Sequence, residues 1–285
     1  MQPLDEHLRQ VCEERAPAAG SACGLARRFL APHNQARVLA LQALFASLRG
    51  VPAGVSEPAV GLAKLAWWEN ELREAAAGAS RHPVVEALQR TGALEGDGSD
   101  FPGGYFTAVA ARLDAPPVRS FDDLDGWLCD TYGAEARLLD RRPVTGAPAA
   151  GLQRMGAAAG LLELLESWAP GAERPAWVPL ALVARAGASA GREQDLRAAV
   201  VAELAGTALG HLPASRGANE PAGGGHGGAP PGPFIAARHA VVRRRLNRLV
   251  RQPAKPPRAG LAGAGDVFAA WSAARRHPAA DDGLE

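Results

Sequence analysis

The sequence has little lysine, few cysteines and no long apolar run. Of 31 basic residues only Lys64 and Lys255 are lysines, and the charges nearly cancel at +1, so no overall field favours nucleic acid. The three cysteines, Cys12, Cys23 and Cys129, are odd in number and lack the spacing of metal ligands. This pattern excludes a disulfide framework and a zinc centre.

No part of this sequence is expected to act as a signal peptide or to span a membrane. No segment approaches the roughly 20 apolar residues that a bilayer requires. The amino end, MQPLDEHLRQ, is polar and acidic, unlike a secretory leader. We therefore expect a soluble, cytoplasmic protein that is at most peripheral to a membrane and has no nucleic-acid partner.

Nearly every periodic segment has the apolar repeat of a helix, and no segment alternates as a strand does. Caps and breakers set the ends of these segments. Helices are predicted over 36–49, 57–77, 83–90, 105–113, from Ser120 to Pro143, 148–168, 192–211 and 234–251, with a weak one around Phe268 and Trp271. The pattern predicts an all-α protein.

The long helices predict one domain over residues 1–251. Inside it, residues 221–233, PAGGGHGGAPPGP, have the composition of a flexible loop because they contain too few apolar groups to pack. Residues 252–285 are expected to form a Pro-rich break and a loosely ordered tail with a short helix.

Four short motifs follow one another between about residues 20 and 215. A basic-aromatic stretch, ARRFLAPHNQARVLALQALFASLR, contains Arg37; LAWWENEL and HPVVEAL follow, and then DLDGW, in which Trp127 replaces a tyrosine. Their order resembles that of the squalene/phytoene synthase family. The resemblance implies a single helical bundle of the isoprenoid synthase type around a central cavity.

The resemblance also implies where metal ligands should lie. Active members ionise an allylic diphosphate whose charge is neutralised by Mg²⁺, held by aspartate-rich segments on two facing helices. The first segment should fall at the end of the 36–49 helix, in LFASLRGVPAGVSE. No Asp or Glu occurs between Arg15 and Ser56, so this first set of carboxylates is absent.

The second segment, GAAAGLLELLESWAPGAERPAWVP, retains Glu163 and Glu166. Three residues apart, they share one helical face, on the side of Leu152, Met155 and Ala159. Two interpretations stay open. The pair faces a cavity as a residual metal site, or it lies in solvent at a helix end.

Basic residues supply two further candidate sites. Arg27, Arg28 and Arg37 could hold a diphosphate, because arginine binds phosphate in a bidentate way; the alternative is a solvated helix end. His82, before a proline, is expected to order a turn rather than to act as a base.

The second basic site lies in RHAVVRRRLNRLVRQPAKPPR. No acidic residue occurs over 221–265, and Arg244, Arg248 and Arg251 lie opposite the apolar side of the predicted helix. Such a helix suits an anionic membrane surface or a protein partner. The alternative is a packed last helix with a solvated basic face.

One half-site cannot hold a Mg²⁺ cluster, and losing such electrostatic stabilisation lowers a rate by orders of magnitude. We therefore expect a non-catalytic family member, with no cofactor, that acts as a binding or assembly factor and has an isoprenoid-shaped cavity for an isoprenoid ligand. Family members with degenerate metal motifs include assembly factors for respiratory complexes. The alternative is a prenyltransferase that condenses farnesyl or geranylgeranyl diphosphate head-to-head, with Glu163 and Glu166 holding Mg²⁺.

Overall fold

The computed structural model describes residues 4–76, 78, 80–94, 103–140, 147–188, 193–213, 231–255 and 262–277. Over these residues all regular structure is helical and there is no strand, which confirms the all-α prediction. The helices are α1 (Glu6–Arg15), α2 (Ala22–Arg27), α3 (Pro32–Arg49), α4 (Pro58–Ala76), α5 (Pro83–Arg90), α6 (Gly103–Ala110), α7 (Phe121–Leu128), α8 (Ala134–Asp140), α9 (Ala147–Ser167), α10 (Leu180–Gly187), α11 (Glu193–His211), α12 (Pro233–Arg251) and α13 (Ala264–Arg276). None of them is long and apolar enough to cross a membrane.

The chain divides into two compact units, and the amino-terminal unit, Met1–Pro117, is organised around α3. This helix contacts α1, α2, α5 and α6, and every residue from Arg37 to Phe45 is buried. It begins at Pro32, four residues before the predicted start, because proline suits the first helical turn whereas the polar residues that follow it carry no apolar periodicity. α3 is thus the central core helix of this unit.

Two short helices of the amino-terminal unit were not predicted. Asp5 caps α1 by accepting a hydrogen bond from the backbone N–H of Leu8, and Ser21 caps α2 in the same way through Gly24. Apart from Leu8, α1 buries only Cys12, so its apolar repeat is too weak to read from the sequence.

The carboxy-terminal unit, Val118–Glu285, is built on α9, α11 and α12, which contact one another. The helix predicted from Ser120 to Pro143 is continuous from Phe121 to Asp140 and consists of α7, a π-helical turn over Cys129–Gly133, and α8. The predicted start is confirmed, since Ser120 and Asp123 form a reciprocal capping box. Residues 141–146, which include the predicted end, lie outside the described part.

The π-helical turn packs closely against α9. A Cβ atom at Gly156 would lie 2.2 Å from the carbonyl oxygen of Tyr132, and one at Gly160 would lie 2.3 Å from the Tyr132 ring. Only glycine fits at such distances. The small residues of GAAAG therefore allow a close helix contact inside this unit.

The short helix predicted around Phe268 and Trp271 is α13. α13 packs against α12 and buries Asp266, Ala270, Ala273 and Ala274. A carboxylate held by arginines anchors this helix, as described below. Of the predicted flexible loop 221–233, residues 221–230 lie outside the described part, as do residues 256–261 and 278–285.

Candidate functional site

The end of α3, in the amino-terminal unit, is where the first metal-binding segment is expected. α3 ends at Arg49, and Pro52–Gly54 then form one 3-10 turn. The buried residues of α3 are apolar except for Arg37 and Gln42. With no carboxylate on the helix or in the turn, this region lacks the charged oxygen ligands that Mg²⁺ takes in proteins.

The three arginines predicted to hold a diphosphate lie in different surroundings. Arg27 ends α2, and its Nη1 donates a hydrogen bond of 2.6 Å to Oε1 of Gln42 on α3. Burial lowers the pKa of Arg27. Arg37 is buried within α3, whereas Arg28 is exposed, so the solvated alternative describes Arg28 alone. A diphosphate-binding role for the three remains a prediction.

Glu163 and Glu166, both on α9 in the carboxy-terminal unit, each have a side-chain partner. Oε1 of Glu163 accepts a hydrogen bond of 3.3 Å from the hydroxyl of Tyr132. The two oxygens of Glu166 accept from Nη1 of Arg245 at 3.1 and 3.3 Å. Burial raises the pKa of Glu166, and the charge of Arg245 opposes this shift. The solvated interpretation is therefore wrong for Glu166, whose side chain is only 10% exposed.

A second carboxylate completes this arrangement. Nε of Arg245 donates a hydrogen bond of 3.0 Å to Asp266 on α13, and Asp266 also accepts from Nε of Arg244 at 3.1 Å. We call Glu166, Arg245 and Asp266 the buried ion cluster. Its central guanidinium is 1% exposed and joins α9, α12 and α13. The two carboxylates offset the positive charge of Arg245, and the exposed side chain of Arg244 pairs with Asp266 at the edge of the cluster.

The described carboxylates of this unit do not fit a Mg²⁺ cluster. Across the described residues, no group of three or more His, Cys, Asp or Glu side chains is placed to hold a metal ion. Arg245 donates to both oxygens of Glu166 and brings a positive charge to the position that a cation would need. Because Mg²⁺ requires several free oxygen ligands, the residues present do not suit the cluster that the resemblance implies for active enzymes.

The arginines of α12 divide into an exposed and a buried set. Arg244 and Arg251 are exposed and Arg248 is half-buried, as expected for the basic face. Arg238 and Arg245 are buried, and neither is among the residues predicted from the sequence to form a site. Their separation of seven residues, which places them on one helical face, was the signal that could have revealed them.

Arg238 differs from Arg245 in its partners. The residue is 4% exposed, and its Nε and Nη1 atoms have no hydrogen-bond partner in the part of the chain that the structure describes. A buried polar group without a partner is uncommon in proteins, and water or a ligand often satisfies it. Arg238 is therefore a candidate for contact with an anion.

The junction between α4 and α5 is built around Glu71. Its Oε2 accepts hydrogen bonds from the hydroxyl of Ser80 and from the backbone N–H groups of Arg81 and His82, each at 3.2 Å. Nδ1 of His82 in turn accepts from the N–H of Val84 and caps α5. His82 thus orders a helix start, as predicted.

The paired tryptophans pack around the same histidine. Ring centroids lie 4.5 Å apart for Trp68 and His82 and 5.6 Å apart for Trp67 and His82. Trp68 is buried, whereas Trp67 is 46% exposed. LAWWENEL is therefore a packing motif that fixes the α4–α5 junction, and it contributes no metal ligand.

Comparisons with known proteins agree with this arrangement of helices. A solved structure of a dehydrosqualene synthase in complex with ligand matches with a TM-score of 0.64 over 95% of each chain, at 15% sequence identity. The chain therefore has the all-α isoprenoid synthase fold. The squalene/phytoene synthase family model matches residues 16–262, and the chain belongs to that family. A comparison with curated protein sequences finds no match.

Proposed function

We propose that this chain is a non-catalytic member of the squalene/phytoene synthase family that acts as a binding or assembly factor. The state of the carboxylates carries the proposal. The first segment has none between Arg15 and Ser56, and in the second Glu166 is paired with Arg245. Ionisation of a prenyl diphosphate needs charge neutralisation at the leaving group, and these residues supply no metal site for it.

The ligand class that we propose is an isoprenoid with an anionic headgroup, bound without turnover. Arg238 supports this class, because its buried Nε and Nη1 have no partner among the described residues, which is costly, and a diphosphate would accept two donors at once. Such binding needs no divalent cation. The chain would then bind a prenyl diphosphate, as the family does, without converting it.

An activity assay tests the non-catalytic part. The purified chain is incubated with Mg²⁺ and labelled farnesyl or geranylgeranyl diphosphate, with a dehydrosqualene synthase run in parallel. We expect no diphosphate release above that of the Glu163→Gln and Glu166→Gln variants, which keep the side-chain volumes. Mg²⁺-dependent release that both variants lose would establish the alternative, a prenyltransferase with a reduced Mg²⁺ site.

A binding assay tests the ligand class separately. Farnesyl diphosphate in the presence of EDTA should raise the midpoint of thermal unfolding, because a ligand that binds only the folded state stabilises it. Arg238→Met should abolish the increase, and the exposed matched variant Arg251→Met should retain it. If Arg238→Met retains the increase, the headgroup does not bind at Arg238.

A further inference from the structure

The outer side of α13 carries large apolar side chains that are exposed among the residues that the structure describes. Val267, Phe268 and Trp271 are 39%, 65% and 41% exposed, and their spacing places them on one side of the helix. The rings of Phe268 and Trp271 lie 5.7 Å apart. They form a continuous apolar patch at the surface, rather than scattered exposed residues.

Positive charge predominates in the described parts of α12 and α13, and one arginine lies beside this patch. Over residues 231–255 and 262–277 the sequence has nine arginines and lysines and a single carboxylate, Asp266, which the buried ion cluster already uses. The guanidinium of Arg275 lies 5.2 Å from the centre of the Trp271 ring. Arg276, Arg251 and Lys255 are also exposed.

The patch is held firmly in place. The opposite side of α13 contains Ala270, Ala273 and Ala274, which are buried, and Asp266 ties the start of the helix to Arg244 and Arg245. The aromatic side chains therefore lie outward because the alanine side fills the contact with α12.

We propose that the outer side of α13, together with the exposed basic residues of α12, is a docking surface for an anionic membrane. Aromatic side chains beside arginines suit the depth of lipid headgroups, where the rings enter the apolar boundary and the guanidinium groups contact phosphates. The excess of positive charge specifies an anionic leaflet. This surface refines the basic site read from the sequence, since Asp266 already engages Arg244 and α13 adds the apolar part. The inference does not depend on whether the chain is catalytic.

Vesicle sedimentation of the full chain tests the proposal. We expect binding to phosphatidylcholine vesicles that contain phosphatidylserine, little binding to phosphatidylcholine alone, and release by salt. Phe268→Ser/Trp271→Ser should weaken binding by at least about tenfold, because two aromatic side chains no longer enter the lipid. Arg275→Gln/Arg276→Gln should weaken it by about fivefold for each charge removed.

Matched variants in α4 serve as controls. Leu62→Ser removes an apolar side chain that is 53% exposed, and Arg73→Gln removes an exposed charge. Both should bind vesicles as the wild type does, and circular dichroism checks that every variant is folded. Equal binding to neutral and anionic vesicles, unchanged binding by the aromatic double variant, or association with an acidic protein but with no vesicle would each overturn the proposal.

Discussion

Glu71 in the amino-terminal unit and Glu166 in the carboxy-terminal unit have little exposed side chain, and the two carboxylates are compensated in different ways. Glu71 in the amino-terminal unit accepts three hydrogen bonds from Ser80 and from the backbone N–H groups of the next two residues. Glu166 in the carboxy-terminal unit faces a guanidinium, that of Arg245. Both hold helices together.

Because the two glutamates are compensated differently, substitutions at the two sites should lower the stability by different amounts. Removing one member of a buried ion pair leaves a charge in a poorly solvated environment, which is strongly destabilising. Removing an acceptor of neutral donors leaves those donors without a hydrogen bond, and this lowers the stability less than an unpaired buried charge does. The buried ion cluster should therefore be the more sensitive of the two.

The largest effect is expected from Arg245→Met. The variant leaves Glu166 and Asp266 without their common cation and should lower the free energy of unfolding by about 3–5 kcal/mol. Urea denaturation followed by circular dichroism measures it. Arg251→Met, on the exposed side of the same helix, should change stability by no more than about 0.5 kcal/mol. Similar values for both variants would mean that the cluster does not hold the three helices.

A smaller effect is expected from Glu71→Ala. Losing the acceptor of three hydrogen bonds at the α4–α5 junction should lower the free energy of unfolding by about 2–3 kcal/mol. Glu71→Gln keeps one carbonyl oxygen as acceptor and should lower it by about half as much. Amide hydrogen exchange at Arg81 and His82 should accelerate in the same order.

The exposed Glu69 provides the control for this junction, since Glu69→Ala removes a carboxylate from the same helix without touching residues 80–82. If Glu71→Gln proved as damaging as Glu71→Ala, the charge of Glu71, rather than its role as acceptor, would be the stabilising feature.

The helices were predictable because their signals are local. Pro83 at the start of α5 and the Ser120 cap of α7 are each readable within four residues. Within the helix predicted from Ser120 to Pro143 the π-helical turn was not predicted, and this turn packs against Gly156 and Gly160 of another helix. Contacts between distant residues therefore change even the regular structure.

The candidate site shows the same limit more strongly. The sequence established that the first carboxylate set is missing, since an absence needs no partner to be recognised. The sequence did not decide whether Glu166 faces a cavity or solvent, because its partner Arg245 lies 79 residues further along the chain. Asp266 was not recognised at all, as nothing beside it in the sequence indicates an ion pair.

The smallest effect, and the sharpest test of how Glu166 is compensated, concerns pH. Burial raises the pKa of Glu166 above its ordinary value of 4.5, so its contribution to stability is complete below that pH and is lost as the pH rises through the folded-state pKa. Because Glu166→Gln does not titrate there, the stability of the wild type relative to this variant should fall as the pH is raised from 4.5. Urea denaturation of both proteins across this range measures the difference. In an Arg245→Met background the fall should steepen, since burial is then unopposed. A relative stability that rises with pH would show that the attraction of Arg245 outweighs burial, making Glu166 the more strongly held of the two glutamates in its charged form.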